Sequence, residues 1–212
     1  MAFVAAPPRS RFDFDARSGQ YRDRASGRFV ARRWIRQELD TALDRAARRA
    51  RDLVGDLRER RITLEQWHLE MKRLTKSAHL FGAAAAKGGW AQMGSADYGR
   101  VGQAVRDQYK WLERFADQVR AGLPMDGRAL QRAELYVLSS RSLYHRVERL
   151  EMQSRAMRYE KSELHAADHC RQCLDEAARG WVPIGEFVPV GQRECRARCR
   201  CTVSYSANRE EA

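Results

Sequence analysis

Residues 63–87, TLEQWHLEMKRLTKSAHLFGAAAAK, decide how this chain folds. Trp67, Met71, Leu74, Ala78, Phe81 and Ala85 recur at helical intervals, which gathers their side chains on one face of an α-helix. The stretch also carries its own start and stop. Thr63-Leu64-Glu65-Gln66 is a capping box: the Thr63 hydroxyl and the Gln66 amide take up N–H groups that have no partner in the first turn. At the other end, Lys87-Gly88-Gly89 supplies a basic last turn and a backbone free to leave the helix.

The same period extends in both directions. Ile35, Leu39, Leu43, Ala46, Ala50, Leu53 and Leu57 mark an amphipathic helix from Trp34 with a narrow apolar stripe, suited to packing on another helix. Ser95 is expected to cap a third helix, with Tyr98, Val101, Val105, Leu112, Phe115 and Val119 inward and an end at Gly122 before Pro124. Asp126 is expected to start a fourth, running through Leu130, Ala133, Val137, Tyr144, Val147 and Leu150 towards residue 160. No run between 34 and 160 alternates at period two, so the class is mainly α with a body of about four long helices over 34–162. Trp67, Trp90, Tyr109 and Trp111 are read as core aromatics, and His68, His79 and His145 as structural histidines without a nearby carboxylate or cysteine. Residues 1–33, with Pro7-Pro8, the turns Ser18-Gly19 and Ser26-Gly27, and aromatics set among arginines, suit an extended arm that orders on a partner.

Lys and Arg number 40 against 28 Asp and Glu, a formal charge of +12. Residues 1–62 hold 16 basic and 9 acidic side chains, residues 63–167 hold 17 and 12, and the remainder cancel. That weighting favours an acidic protein surface or nucleic acid as partner, although interspersed acids also fit a solvated helix face. Arg32 and Arg33, at the junction of arm and body, are candidate contacts for such a partner. No segment approaches the roughly 18 apolar residues of a membrane span, and the Arg-rich start is unlike a secretion signal. The expected setting is a reducing cytoplasm, without a membrane.

All five cysteines fall in residues 163–212, where Gly180, Pro183, Gly185, Pro189 and Gly191 interrupt any helix. Trp181-Val182, Glu186-Phe187-Val188 and Cys201–Tyr205 read as short strands of a β-hairpin module of zinc-ribbon type. So few apolar residues cannot close the segment by burial alone. Cys170-x2-Cys173 offers one pair of sulfurs; Cys195-x3-Cys199-x-Cys201 offers a second group after 21 residues. Zn2+ suits such a set, because thiolates in a closed four-coordinate site match it. Cys170, Cys173, Cys195 and Cys199 are the first choice of ligands, with Cys201 as substitute and His165 and His169 as further candidates. Arg193, Arg196, Arg198 and Arg200 surround the second group, where they favour thiolates and are candidates for binding phosphates or a partner. A disulfide-bonded or metal-free cluster and a redox dithiol are the alternatives; the latter belongs at a helix start in a βαβ context, which is not expected here. No paired carboxylates, nucleophile–base set or phosphate loop marks an enzyme.

The tail resembles the C-terminal module of the phage head morphogenesis proteins, the Mu F-like minor head proteins, in its Cys170-x2-Cys173 pair and its Cys199-Arg200-Cys201. Arg196-Ala197-Arg198 stands where that family commonly has His-Pro. The middle of the chain is similar to structural proteins of tailed phages in Gly88-Gly89-Trp90-Ala91-Gln92-Met93 and Tyr98-Gly99-Arg100-Val101-Gly102, with Gln108-Tyr109 and Phe115-Ala116 beyond. The resemblance implies a virion component assembled in the host cytoplasm and associated with portal, capsid or neck proteins in a symmetric assembly. It also implies a part in head assembly and contact with packaged DNA.

Overall fold

The computed structural model describes residues 11–15, 17–165 and 167–208. Pro7-Pro8 of the expected arm lies outside them. The elements in chain order are β1 (Phe12–Asp15), β2 (Gln20–Asp23), β3 (Phe29–Val30), α1 (Arg32–Arg58), α2 (Leu64–Lys87), α3 (Ser95–Arg120), α4 (Gly127–Leu138), α5 (Ser140–Ser154), β4 (Tyr159–Glu163), α6 (Arg171–Ala178), β5 (Trp181–Pro183) and β6 (Thr202–Ser206). The protein is mainly α, with a small Cys-rich region at its C-terminal end.

Helix α2 packs against α1, α3, α4 and α5. Its capping box forms: Gln66 N donates to Thr63 Oγ1 at 3.2 Å and Thr63 N to Gln66 Oε1 at 2.8 Å. Trp67 is fully buried edge-on to Phe115, with ring centroids 5.2 Å apart, and Tyr136 stacks beyond at 6.2 Å. Burial of an indole of this kind stabilises a fold by about 3–5 kcal/mol relative to alanine. Gly88 ends the helix with φ 99°, and a Cβ there would run into the Phe14 ring. Of the other aromatics read as core, Tyr109 is half-buried and donates to the Lys72 carbonyl, whereas Trp111 is 55 % exposed beneath Arg114.

The helix starting at Asp126 is cut in two. Asp126 does cap α4, accepting from Arg128 N and Ala129 N, but the helix breaks at Ser139 and resumes as α5. Ser139 Oγ donates back to the Tyr136 carbonyl at 2.8 Å, a local bond that competes with the helical ladder. The break lets α5 close on α2 at Gly82, where an added Cβ would sit 3.1 Å from the Ser140 carbonyl oxygen. Helix α5 then stops at Ser154, short of the expected residue 160. Helix α3 is capped at Gly94, not Ser95: no side chain caps the first turn, and the Asp97 carboxylate reaches back to accept the Gly94 N–H at 3.0 Å.

The expected extended arm is, over its described part, a three-stranded antiparallel sheet in the order β1-β2-β3. Asp15 accepts from Arg17 N and Ser18 N, and Asp23 from Ala25 N and Ser26 N, so each tight turn is closed by the aspartate that precedes it. The surface that orders this sheet belongs to the chain itself. Phe12 and Tyr21 bury against Ile35 of α1, and Tyr21 Oη donates to the Ala85 carbonyl of α2 at 2.7 Å.

Candidate metal centre

A second antiparallel sheet, in the order β5-β4-β6, backs the cysteines, with Val203 of β6 packed among Cys173, Cys199 and Cys201. The hairpin expected in the gap between Cys173 and Cys195 does not form; β5 pairs instead with β4, which also pairs with β6. Glu186-Phe187-Val188 is not a strand; Phe187 is buried, and the Val188 N–H donates to Glu176 Oε1 at 3.1 Å. The inward face of β4 is polar. Glu160, fully buried, pairs with Arg149 at 2.9 Å and accepts from Gly185 N at 3.0 Å; Ser162 accepts from Arg193 Nη1 at 2.9 Å. Since β4 spans Tyr159–Glu163, the Cys-rich unit begins before residue 163, the start expected from sequence.

Cys170 is the N-cap of α6 and Cys173 lies in its first turn, with the Cys173 N–H donating to the Cys170 carbonyl at 3.0 Å. The dithiol does open a helix, as redox dithiols do, but the strands on either side are antiparallel and not a βαβ unit. Gln172 and Glu194 clamp the second cysteine group to this turn: Glu194 N donates to Gln172 Oε1 at 3.1 Å, and Gln172 N reaches Glu194 Oε2 at 3.5 Å. Cys195 begins a single 3₁₀ turn, Arg196–Arg198, that delivers Cys199 and Cys201 to the same place.

The sulfurs converge around Cys173, which lies 3.4 Å from Cys170, 3.5 Å from Cys195 and 3.6 Å from Cys199. Tetrahedral zinc with Zn–S bonds of about 2.3 Å has sulfur–sulfur edges of about 3.8 Å. The contacts are slightly shorter than that edge, so the cluster could hold a metal ion, and they far exceed the roughly 2.05 Å of a disulfide; all five cysteines are free thiols. Two groups of potential ligands emerge, Cys170 with Cys173 and Cys195, and Cys173 with Cys199 and Cys201, each with sulfurs within 4.8 Å of one another. Cys173, Cys199 and Cys201 are each only 1 % exposed, so water competes poorly for them.

His169 completes the surroundings. Its Nδ1 is 3.7 Å from Cys201 Sγ, and its Nε2 is 2.6 Å from the His165 carbonyl. An Nε2–H donated to that carbonyl leaves the Nδ1 lone pair facing the sulfurs, which is how second-shell contacts orient a metal-binding imidazole. His165 is turned to Thr202 Oγ1 at 2.7 Å. Before any metal binds, the thiols share protons unevenly. The hydrogen bond from Cys201 holds Cys199 below the usual thiol range, and Cys201 is pushed up in turn, first by that bond to Cys199 and then by burial. Burial, and then hydrogen bonds to neighbouring thiols, push Cys195 up. For Cys170 burial acts upward but is outweighed by hydrogen bonds from Cys173 and Cys195, which lower it. A metal ion held there would displace the remaining protons, because the thiolate is the ligand.

The arginines read as one group separate into different roles. Arg193 is buried and donates to the Val188 carbonyl at 3.0 Å and to Ser162, so it braces the sheet and offers nothing to a phosphate, while its hydrogen bond to Cys173 acts to favour the thiolate. Arg200 pairs with Asp40 at 3.4 Å and Asp44 at 3.1 Å on α1. Arg32 lies 3.6 Å from buried Glu148; Arg33 is exposed against Trp34. Arg196 and Arg198 are exposed, with no acidic partner among the described residues.

Sequence reasoning missed the joint between this unit and the helices. Arg141 of α5 donates to the Ala197 carbonyl at 3.1 Å and pairs with Asp40 at 2.6 Å. Arg36 of α1 donates to the Val203 carbonyl of β6 at 2.6 Å and to Glu148 Oε1 at 3.1 Å. Glu148, fully buried, also accepts from Tyr144 Oη at 2.9 Å and lies 3.4 Å from His145 Nδ1. His145 therefore has a carboxylate one turn away, contrary to its reading as unaccompanied. The signal was present: Tyr144, His145 and Glu148 stand at helical spacings of three and four. Compared with known proteins, the chain matches no family model, no curated protein and no solved structure.

Proposed function

We propose that the chain is a non-enzymatic structural protein of a tailed-phage virion, a minor head protein that associates with the portal or capsid interior and acts in head assembly, its C-terminal unit locked by zinc. The observation that carries the reading is the convergence of Cys170, Cys173, Cys195, Cys199 and Cys201, since the tail resemblance rests on that same motif and a zinc-thiolate centre accounts for the sulfur spacing. Zinc is the choice among metals because it is redox-inert and a thiolate-rich site suits it. Its work here is structural: it holds the tail in place while exposed helix faces meet neighbouring virion proteins. Exposed Trp34, Trp111 and Leu69 on α1, α3 and α2 supply apolar contact area for such packing.

The test is cross-linking and size-exclusion chromatography of the purified chain with the portal, capsid and neck proteins of the same phage, alongside metal analysis. Co-migration with one of them and bound zinc are the expected results; absence of any complex overturns the assembly role. A second reading, zinc-dependent nucleic-acid binding, is favoured by the unpartnered exposure of Arg196 and Arg198. Binding of that kind weakens steeply with salt, and a flat salt response in a filter-binding titration removes it.

A further inference from the structure

The five sulfurs and His169 do more than offer spare ligands. A single tetrahedral ion needs four donors mutually about 3.8 Å apart, whereas these thiols fall into two groups of three that share one member. Resting on the metal-centre reading above, we propose that the centre takes two thiophilic d10 ions, zinc being the physiological case, with the Cys173 thiolate bridging them. One ion is held by Cys170, Cys173 and Cys195, the other by Cys173, Cys199 and Cys201 with His169 Nδ1 as its fourth donor.

Three observations carry this. Cys173 is the hub, in contact with Cys170, Cys195 and Cys199 at 3.4–3.6 Å, the position a bridging sulfur must occupy. His169 borders the second group through Cys201 alone, its Nδ1 3.7 Å from that sulfur and its Nε2 anchored on the His165 carbonyl, so a small turn of the ring about that anchor would make it the fourth donor. The third is charge. With the buried Arg193 guanidinium against Cys173 counted, one dication with four thiolates leaves one negative charge in a largely buried site, whereas two dications with five thiolates leave none, and burying less net charge costs less. The first ion keeps its fourth position on the side of the half-buried Cys170 and Cys195, where water or a small anion has access.

The experiment is a zinc titration of the full-length chain, reduced and stripped with chelator, counted by native mass spectrometry. Cadmium-113 NMR provides a second count. Two ions per wild-type chain and two cadmium resonances are expected. Cys201→Ser and His169→Gln each lower the count to one, while helical circular dichroism stays unchanged. One ion in the wild type, undisturbed by Cys201→Ser, overturns the bridge but leaves the metal centre standing. No bound ion overturns both. Two ions that survive both substitutions overturn the assignment of the second site to Cys201 and His169.

Discussion

Replacing Glu148 with Gln should cost the fold about 3 kcal/mol at neutral pH. Glu148 is wholly buried, and it balances Arg36 at 3.1 Å and Arg32 at 3.6 Å while accepting from Tyr144 Oη at 2.9 Å. Glutamine keeps the shape and one acceptor, so the loss is that of the charge alone. Two routes give the magnitude. Removing one partner of a buried ion pair costs about 3–5 kcal/mol, because the other charge is left uncompensated. Independently, burial acts to raise the Glu148 carboxyl, yet Arg36, His145 and Arg32 outweigh it and hold it down at about 2, from an ordinary 4.5. At about 1.4 kcal/mol per pH unit, that difference is worth about 3 kcal/mol. The sign follows: a depressed folded-state carboxyl contributes fully above pH 4.5, and its contribution drains away as pH falls towards 2. Urea unfolding of wild type and Glu148→Gln, followed by far-UV circular dichroism across that range, should show a wide gap at neutral pH that narrows in acid. At about 2–4 °C per kcal/mol for a chain of this size, the melting temperature should drop by roughly 10 °C. A gap below about 1 kcal/mol, or one that persists undiminished in acid, refutes the reasoning.

Cys173→Ser removes the sulfur common to both groups of ligands and should abolish stoichiometric zinc, whereas Cys170→Ser should retain measurable binding; equal zinc content in the two variants, by metal analysis, contradicts the hub. His79 is buried against the Thr75 carbonyl, and burial lowers its pKa to about 4, so the unfolded chain takes up its proton first. Stability should therefore fall by about 3 kcal/mol between pH 6.5 and 4, with a shallower slope for His79→Gln; identical slopes in urea titrations count against it. Gly82→Ala places a Cβ 3.1 Å from the Ser140 carbonyl. Overpacking at about 1–3 kcal/mol should outweigh a helix-propensity gain of about 1 kcal/mol, and a raised melting temperature would show instead that α5 gives way.

The helices were legible because their burial is apolar. Trp67, Met71, Val101, Leu112 and Val137 announce their faces by period, and Thr63 and Asp126 announce two of the helix starts. Strand β4 was not, because its inward residues are Glu160 and Ser162, so a reading tuned to hydrophobic alternation passes over it and extends the preceding helix instead. Short α6 was hidden for a related reason: of its eight residues only Cys173 and Glu176 are buried. The first sheet failed to register as folded because Phe12 and Tyr21 lie among arginines, and nothing local reveals that Ile35 and the Ala85 carbonyl are their partners. The cysteines were legible as a cluster, but their grouping about Cys173 depends on a helical turn and a 3₁₀ turn whose relative placement spacing does not encode. The tail arginines misled as a group because charge says nothing of burial, and Arg193 is spent inside the sheet.

The polar interior of β4 and the thiol cluster are two consequences of one shortage. Val182, Phe187, Val190, Ala197 and Val203 are the buried aliphatic and aromatic side chains among the described residues of the second sheet and its loop, too few to offset the ordering of about fifty residues. What else holds this sheet is directional: Arg149 on Glu160, Arg193 on Ser162, Arg36 on the Val203 carbonyl, Arg141 on the Ala197 carbonyl. Net gains from such bonds are small one by one, whereas a thiolate-bound zinc contributes on the order of 10 kcal/mol or more. On the proposed reading the metal would be the main term for the tail and a minor one for the helices, which keep Trp67, Phe115 and their neighbours without it. The arginine bonds then act as orientation: Arg36 and Arg141 reach from α1 and α5 to the backbone beside Cys199 and Cys201, which aims the second ligand group at the first.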